Sequence, residues 1–160
     1  MNGLRIGDLL YRTKGVVEHA GVYLGSNCVL HTAPTTGIEI VSLERYGDGQ
    51  EIKFKRIEAT DMALLASRLS HILAGDRRFD LLGRNCEQVA HFLISGRNSS
   101  PQLLAAITGG AFGGLVACQT RSENWLMIVL AFSFAGCALS NLLRSYDGTI
   151  SAQQPIHAAI

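Results

Sequence analysis

Two stretches without any charged side chain constrain the fold of this 160-residue chain more than any other feature. They are residues 98–120 and 124–143, and within residues 98–143 only Arg121 and Glu123 are charged. Residues 1–97, in contrast, carry 12 basic and 11 acidic side chains, about the one-in-four density of an average soluble domain. The sequence therefore predicts two unlike parts, an ordinary globular domain followed by an almost uncharged segment.

The boundary between the two parts falls at about Ser99–Pro101, where turn-forming residues cluster. We predict a domain over residues 1–98, an apolar helical hairpin over 99–146 and a polar tail over 147–160. The net charge of +1 gives no electrostatic case for a nucleic-acid partner. No apolar run typical of a secretory signal is found near Met1, and the four cysteines lack metal-type spacing, which together favour the cytosol.

The uncharged segment has the length and polarity of two helices joined by the short polar loop Gln119–Asn124. Leu103–Cys118 contains sixteen residues and Trp125–Leu143 nineteen, and the second approaches the roughly 20 residues that span a bilayer. We therefore predict a membrane anchor. The alternative is a pair of helices buried in a soluble core or in an oligomer interface.

Glycines in the first of these helices are spaced four residues apart, as Gly109/Gly113 and Gly110/Gly114. Small residues at this spacing let two membrane helices approach closely. They also provide a surface through which copies of the chain could form a homo-oligomer.

The first part of the chain mixes strand and helix patterns. It predicts an α+β fold in which a small antiparallel sheet packs on helices. The candidate strands are Ile6–Arg12, a hairpin over Glu18–His31, Ile38–Leu43 and Ile52–Ile57. Apolar residues at steps of three and four then predict a helix that ends at Gly75 and is capped by Thr60 or Asp61.

A second helix begins at Asn85, which can form a capping box with Gln88, and ends at Gly96. Cys86 is then the first helical residue. Unpaired backbone N–H groups and the helix dipole favour a thiolate at that position, and the same N–H groups could stabilise an oxyanion. The alternative is that Cys86 is a small buried residue at a helix start.

His19 and His31 lie on the two strands of the predicted hairpin, and they are cross-strand neighbours if they share a face. One imidazole could then take the thiol proton of Cys86 while the other orients it, which is the pattern of cysteine nucleophiles. A zinc site built from these three residues would lack a fourth ligand. We predict no metal and no cofactor.

Four segments carry a resemblance to a known family. They are Gly7-Asp8-Leu9-Leu10, Glu18-His19-Ala20-Gly21-Val22-Tyr23-Leu24-Gly25, Val29-Leu30-His31 and Phe79-Asp80-Leu81-Leu82-Gly83-Arg84-Asn85-Cys86-Glu87. Together they resemble the lecithin:retinol acyltransferase-like family over about residues 4–97. The resemblance implies a circularly permuted papain-like fold, similar to NlpC-type enzymes, in which the histidines precede the cysteine.

The resemblance also implies thiol acyl transfer, with Cys86 as nucleophile, His19 as general base and later acid, and His31 as the residue that orients His19. Members of the family attack phospholipid esters and pass the acyl group to water, an amine or an alcohol. This chain departs from the family at Gln88, where histidine is usual, and at Phe79, where tyrosine is frequent.

We therefore predict a membrane-associated thiol acyltransferase or phospholipase A, with a phospholipid membrane and an acyl lipid as its partners. A hairpin anchor would leave the catalytic domain facing the cytosol, where Arg77, Arg78 and Arg84 could meet lipid phosphates. One alternative is a cysteine peptidase or amidase. The other is a non-catalytic membrane or partner-binding module.

Overall fold

The chain has the predicted α+β fold in a computed structural model, which describes residues 3–15, 17–57, 61–75 and 85–151. The strands are β1 (Leu9–Lys14), β2 (Val17–Gly25), β3 (Cys28–Ala33), β4 (Gly37–Ser42), β5 (Glu51–Lys55) and β6 (Gly148–Ser151). The helices are α1 (Leu43–Gly47), α2 (Met62–Ala74), α3 (Cys86–Ser95), α4 (Pro101–Thr120) and α5 (Trp125–Leu142).

The six strands form one antiparallel sheet in the order β4-β3-β2-β1-β5-β6. The hairpin predicted over Glu18–His31 is confirmed, since β2 pairs with β3. The turn residues Ser26 and Asn27 have positive φ values of 46° and 63°. Positive φ at both residues is typical of the type I′ hairpin turn, whose twist matches that of the flanking strands.

Buried side chains form two apolar clusters. The first packs α2 and α3 on the sheet and contains Leu9, Tyr11, Ala20, Val22, Leu30, Ile38, Leu65, Ile72, Val89, Ala90 and Leu93. The second includes α1 and contains Leu10, Tyr23, Val29, Val41, Leu43, Tyr46, Ile52 and Phe54. Neighbouring strand residues, whose side chains point to opposite faces, belong to different clusters, as Leu9 and Leu10 do. The sheet is therefore apolar on both faces. This explains why the central strands show little alternation in the sequence.

Both predicted helices of the first part are confirmed, and local capping sets their ends. Asp61 accepts hydrogen bonds from the backbone N–H groups of Ala63 and Leu64 at the start of α2, whereas Thr60 lies outside the described residues. Asn85 and Gln88 form the predicted capping box of α3, which ends at Gly96 with φ of 74°. Cys86 is therefore held at the first position of a well-defined helix start.

A sixth strand follows the apolar helices, because Gly148–Ser151 pairs with β5 at the edge of the sheet. Just before it, the Asp147 carboxylate accepts a 2.7 Å hydrogen bond from the backbone N–H of Arg56. The ring of Tyr146 meets that of Tyr11 edge-on, with centroids 5.7 Å apart. Asp147 and β6 belong to the segment predicted as a polar tail, and Tyr146 borders it. The strand was not predicted because its four residues are too few for an alternating pattern to show in the sequence.

The two apolar helices α4 and α5 pack against each other, as predicted. Gly109 lies against the backbone carbonyl of Phe132, and Gly136 lies against that of Ala105. A Cβ atom at either glycine would overlap the facing oxygen, so the close approach depends on small residues. Phe112 adds an edge-on ring contact to Phe132 at 5.4 Å. The small-residue spacing therefore serves a contact within the chain.

Both apolar helices are long and apolar enough, by length and composition, to cross a membrane. Only 11% of the apolar window of α4 and 6% of that of α5 is buried, whereas a helix in a soluble core is mostly buried. The large apolar side chains exposed on these helices include Leu104, Ile107, Phe112, Leu115, Trp125, Leu126, Met127, Leu130, Phe134 and Leu139.

Contacts between residues divide the chain into two units, one of residues 1–12, 19–99 and 145–160 and one of residues 13–18 and 100–144. The second unit contains a buried polar cluster. The Gln102 side chain accepts a hydrogen bond from the Glu18 N–H and donates one to the Glu18 carbonyl, both at 3.1 Å. The Glu18 carboxylate lies 3.6 Å from Arg144 Nη1. The Gln102 amide thus pairs with the Glu18 backbone, and the Glu18 carboxylate has the Arg144 guanidinium as a partner for its charge, as burial requires.

Candidate active site

The two histidines singled out by the sequence are in direct contact. His31 lies opposite Gly21 in the β2–β3 register, and His19 precedes Gly21 by two residues, so both histidines project from the same face. His19 Nε2 lies 3.0 Å from His31 Nδ1, a hydrogen-bond distance, and the side chains are buried. The predicted cross-strand contact is confirmed, while the catalytic roles of the two residues remain a prediction.

A glutamate extends this pair on the side away from His19. Glu39 on β4 lies directly opposite His31 on β3, and its Oε1 is 3.3 Å from His31 Nε2. Its other oxygen lies 3.9 Å from the Arg45 guanidinium. Sequence reasoning missed Glu39 because its contact with His31 depends on the register between β3 and β4. The equal lengths of these two strands could have indicated that register.

Tyr46 on α1 packs against both imidazoles and was also missed. Its ring stacks on His19 with centroids 5.7 Å apart and meets His31 edge-on at 5.6 Å. Its hydroxyl lies 2.7 Å from the His19 carbonyl and 3.0 Å from the Leu10 carbonyl, and donates its hydrogen to these acceptors. Gly21 makes room for this ring, because a Cβ there would lie 2.8 Å from Tyr46 Cε2.

Replacing Tyr46 by phenylalanine is expected to lower the free energy of unfolding by about 1–2 kcal/mol, because buried carbonyls lose their donor while the apolar packing stays. The measurement is the thermal unfolding midpoint of the detergent-solubilised protein by circular dichroism. Tyr23→Phe is the matched control, since the Tyr23 hydroxyl accepts only a partly buried 3.3 Å bond from the Asn27 N–H. Equal losses in the two variants would contradict the role given to the Tyr46 hydroxyl.

Cys86 lies at the first residue of α3 and packs against the first apolar cluster. The backbone N–H groups of Ala20 and Glu87 both lower the pKa of its thiol. Ala20 directly follows His19 in β2, so the thiol lies against the strand that carries the predicted base.

Burial raises the pKa of the Cys86 thiol above its ordinary value, and the nearby Glu87 carboxylate raises it further. The backbone N–H groups lower that pKa, but loss of water outweighs them. The N–H groups at the helix start therefore act in the predicted direction, but the thiol as a whole has a raised pKa, because the prediction considered the helix start and not the tertiary burial. A nucleophilic Cys86 needs a base that removes the proton during attack.

The raised pKa of Cys86 predicts that its alkylation by iodoacetamide begins at higher pH in the folded protein than in the urea-unfolded chain. The thiolate is the reactive form, and burial delays its formation as pH rises. Mass spectrometry of the Cys86 peptide gives the alkylation rate at each pH. The pH at which this rate is half of its maximum does not depend on how fast the reagent enters the protein. A folded midpoint at or below the unfolded one would contradict the effect of burial.

The remaining residues that the sequence analysis singled out do not add to the site within the described residues. Gln88 stands where the resembled family usually has histidine, and its side-chain oxygen accepts a 3.1 Å bond from the Asn85 N–H as part of the helix cap. Phe79 and the arginines at positions 77, 78 and 84 lie outside the described residues. Within the part of the chain that the structure describes, no group of three or more His, Cys, Asp or Glu side chains could hold a metal ion.

Comparison of the chain with models of known protein families finds no matching family, and comparison with curated proteins finds no matching sequence.

Proposed function

We propose that the chain is a membrane-associated thiol acyltransferase or phospholipase A that acts on glycerophospholipid esters through an acyl-cysteine. The observation that carries the proposal is the buried His19–His31 hydrogen bond on β2 and β3, together with the backbone N–H of the next residue of β2, Ala20, which lowers the pKa of the Cys86 thiol. A nucleophile, a base and a residue that orients the base form the minimal machinery of acyl transfer. The resemblance to lecithin:retinol acyltransferase-like enzymes supports an ester carbonyl as the electrophile.

In the acylation step, Cys86 Sγ attacks the ester carbonyl while His19 takes the thiol proton. His19 Nε2 faces His31, so Nδ1 is the nitrogen that accepts this proton. The new C–S bond pushes the carbonyl electrons onto oxygen, and backbone N–H groups at the start of α3 can donate to that oxyanion. When the ester C–O bond breaks, the His19 imidazolium protonates the departing alkoxide of the lysophospholipid.

The second step reverses the roles of the same groups. Water, an amine or an alcohol attacks the acyl-Cys86 thioester as His19 takes its proton. The C–S bond breaks, and the thiolate regains a proton from the His19 imidazolium. The products are a fatty acid, an amide or an ester, and the free thiol of Cys86 is restored.

The exposed apolar helices α4 and α5 support a lipid substrate. They present large side chains such as Phe134 and Met127, which are 56% and 66% exposed, over a span long enough for a bilayer. Apolar surface of this extent is stabilised by transfer into hydrocarbon. An enzyme held in a bilayer meets phospholipid at a high local concentration, so that anchoring raises the rate of substrate encounter.

The test is incubation of the full chain, reconstituted in phosphatidylcholine vesicles, followed by intact-mass measurement of the protein and analysis of the lipid. We expect an acyl adduct on the protein and release of lysophospholipid. Absence of both products would overturn the proposal. Cleavage of peptides without either lipid product would identify a cysteine peptidase or amidase instead.

A second measurement addresses the membrane directly. We expect the chain to stay with vesicles during extraction at alkaline pH and to be released only by detergent. Release by alkali alone would show that the two helices do not span the bilayer and would favour a soluble core or an oligomer interface.

A further inference from the structure

Arg12 on β1 places a positive charge beside Tyr46, the ring that contacts both histidines of the candidate active site. The Arg12 side chain is only 14% exposed, and its Cζ atom lies 5.8 Å from the centroid of the Tyr46 ring, within the range of a cation–π contact. The same ring stacks on His19 and meets His31 edge-on. Tyr46 is therefore a shared neighbour of this partly buried cation and of the predicted base.

The contacts of Arg12 satisfy only part of its guanidinium. Nη1 donates a long 3.4 Å hydrogen bond to Asp48 Oδ2, whereas Nε is buried and has no acceptor in the part of the chain that the structure describes. A guanidinium offers five N–H groups in one plane, and a buried donor without an acceptor costs free energy. The fold alone therefore gains little from an arginine at this position, which is typical of a residue that binds a ligand.

Asp48 is a partner that another anion can replace. Its side chain is 72% exposed, so the carboxylate reaches Arg12 Nη1 from the solvent side, and an anion from solution can take the same direction. An ion pair this exposed contributes little to stability, because solvent screens it and both side chains lose freedom in holding one geometry. A free phosphate is not tethered to the backbone, and it can pair two of its oxygens with two N–H groups of an arginine.

We propose that Arg12 binds the phosphate group of the phospholipid substrate and that this phosphate replaces Asp48 at the guanidinium. The inference rests on the proposed function for the identity of the substrate, while phosphate binding by Arg12 is a property of the resting protein. In a glycerophospholipid the phosphate is joined to the ester carbonyls through the glycerol backbone. A cation that shares a neighbour with the predicted base therefore selects phospholipids over neutral glycerides, and it takes no part in the covalent steps.

The binding test uses the full chain with Cys86→Ala, so that no probe is consumed, in dodecyl maltoside, a detergent without phosphate. The probe is the short-chain lipid dibutyroylphosphatidylcholine, and the measurement is the thermal unfolding midpoint, which rises when a ligand binds the folded state. We expect a rise with this lipid and a smaller one with dibutyrin, a diester that lacks phosphate. Equal responses to the two diesters would overturn the proposal. A response to inorganic phosphate without one to the lipid would also overturn it, because the site would then bind only free anions.

Replacing Arg12 by glutamine in this assay is expected to raise the apparent Kd for dibutyroylphosphatidylcholine by about 10- to 100-fold, the usual effect of losing a hydrogen bond to a charged group. Arg12→Lys keeps the charge over Tyr46 but loses the planar fork, so a smaller increase is expected. The lysine variant also provides the comparison if Arg12→Gln does not fold. An unchanged Kd in the folded variants would overturn the role of Arg12.

Replacing Asp48 by asparagine is expected to have the opposite effect and to lower the Kd by about two- to fivefold, because the competing carboxylate is gone. Asparagine tolerates the left-handed backbone at this position, where φ is 52°. If Arg12 only packed on Tyr46, Asp48→Asn would bring no gain, so unchanged or weaker binding in this variant would overturn the proposal. Lys53→Gln is the matched control, since Lys53 Nζ lies 4.8 Å from the centroid of the Tyr146 ring in the same kind of contact. We expect the Kd to be unchanged there.

Turnover measurements separate failure of this inference from failure of the proposed function. With Cys86 intact, we expect Arg12→Gln to raise the KM for dibutyroylphosphatidylcholine by about 10- to 100-fold with little change in kcat, and to leave hydrolysis of dibutyrin unchanged. Phospholipid turnover that is the same in Arg12→Gln and the wild type would overturn the role of Arg12 and leave the reaction standing. Lipid binding that depends on Arg12, in a protein that turns over no phospholipid, would uphold the phosphate site and overturn the reaction.

Discussion

Replacing Cys86 by alanine is expected to abolish the acyl adduct and to lower phospholipid turnover by about 10³-fold or more, because no other group in the mechanism can form the thioester. The measurement is intact mass of the protein after incubation with phosphatidylcholine vesicles, together with the rate of lysophospholipid release. The change removes one partly buried sulfur at a helix start, so the fold should persist.

Cys28→Ala is the matched control for this experiment. Cys28 is also a partly buried cysteine of the same unit that forms no disulfide, and it begins β3 with its thiol 3.6 Å from the Ser26 carbonyl. We expect the adduct and the turnover to survive in that variant. An adduct that persists in Cys86→Ala, or disappears in Cys28→Ala, would assign the nucleophile elsewhere.

His19→Ala provides a second, independent comparison. Because the raised pKa of Cys86 leaves little thiolate near neutral pH, attack depends on the base, and we expect a loss close to that of Cys86→Ala. The double variant should be hardly worse than either single variant, since the two residues act as one unit. Additive losses would show that His19 and Cys86 work separately.

Replacing Gly109 by alanine is expected to destabilise the apolar hairpin, although the same change at Gly114 should stabilise it. A Cβ at position 109 would overlap the Phe132 carbonyl and lie 3.5 Å from the Cα of Gly136, so the helices must separate. A Cβ at position 114 has only Val129 Cγ2 near it, at 3.9 Å. Both changes gain about 1 kcal/mol of helix propensity, and only at 109 does overpacking of about 1–3 kcal/mol oppose it.

The sign difference between the two variants makes the experiment specific. The free energy of unfolding in mixed detergent micelles, followed by helical circular dichroism, should fall for Gly109→Ala and rise or stay level for Gly114→Ala. Gly136→Ala should behave as Gly109→Ala does, since it faces the Ala105 carbonyl. Destabilisation by all three changes alike would indicate that the glycines matter for flexibility and not for close packing.

Features governed by nearby residues could be predicted from the sequence. The capping box of Asn85 and Gln88 spans three residues, and the turn at Ser26-Asn27 needs only its own backbone conformation. The charge-free stretches predicted the two apolar helices because composition alone defines them. The contact of His19 with His31 required one further assumption, that both strands of a short hairpin present the histidines on one face.

Features governed by tertiary structure could not be predicted from the sequence. Glu39 and Tyr46 reach the histidines only through the register of β4 and the placement of the five-residue helix α1. The pKa of Cys86 depends on burial under the sheet and helices, whereas the sequence shows only its helix start. The circular permutation implied by the family resemblance stays a prediction.

The strand that follows the apolar helices changes how this chain can be engineered. Truncation after α3 would remove the hairpin together with β6, the aromatic contact of Tyr146 with Tyr11 and the Asp147 bond to the Arg56 backbone. The edge of β5 would then be open to pairing with other chains, which promotes aggregation. A soluble form of the sheet domain should therefore exchange residues 100–144 for a flexible loop and keep residues 145–151, so that the two apolar helices are removed as an insertion in its sequence.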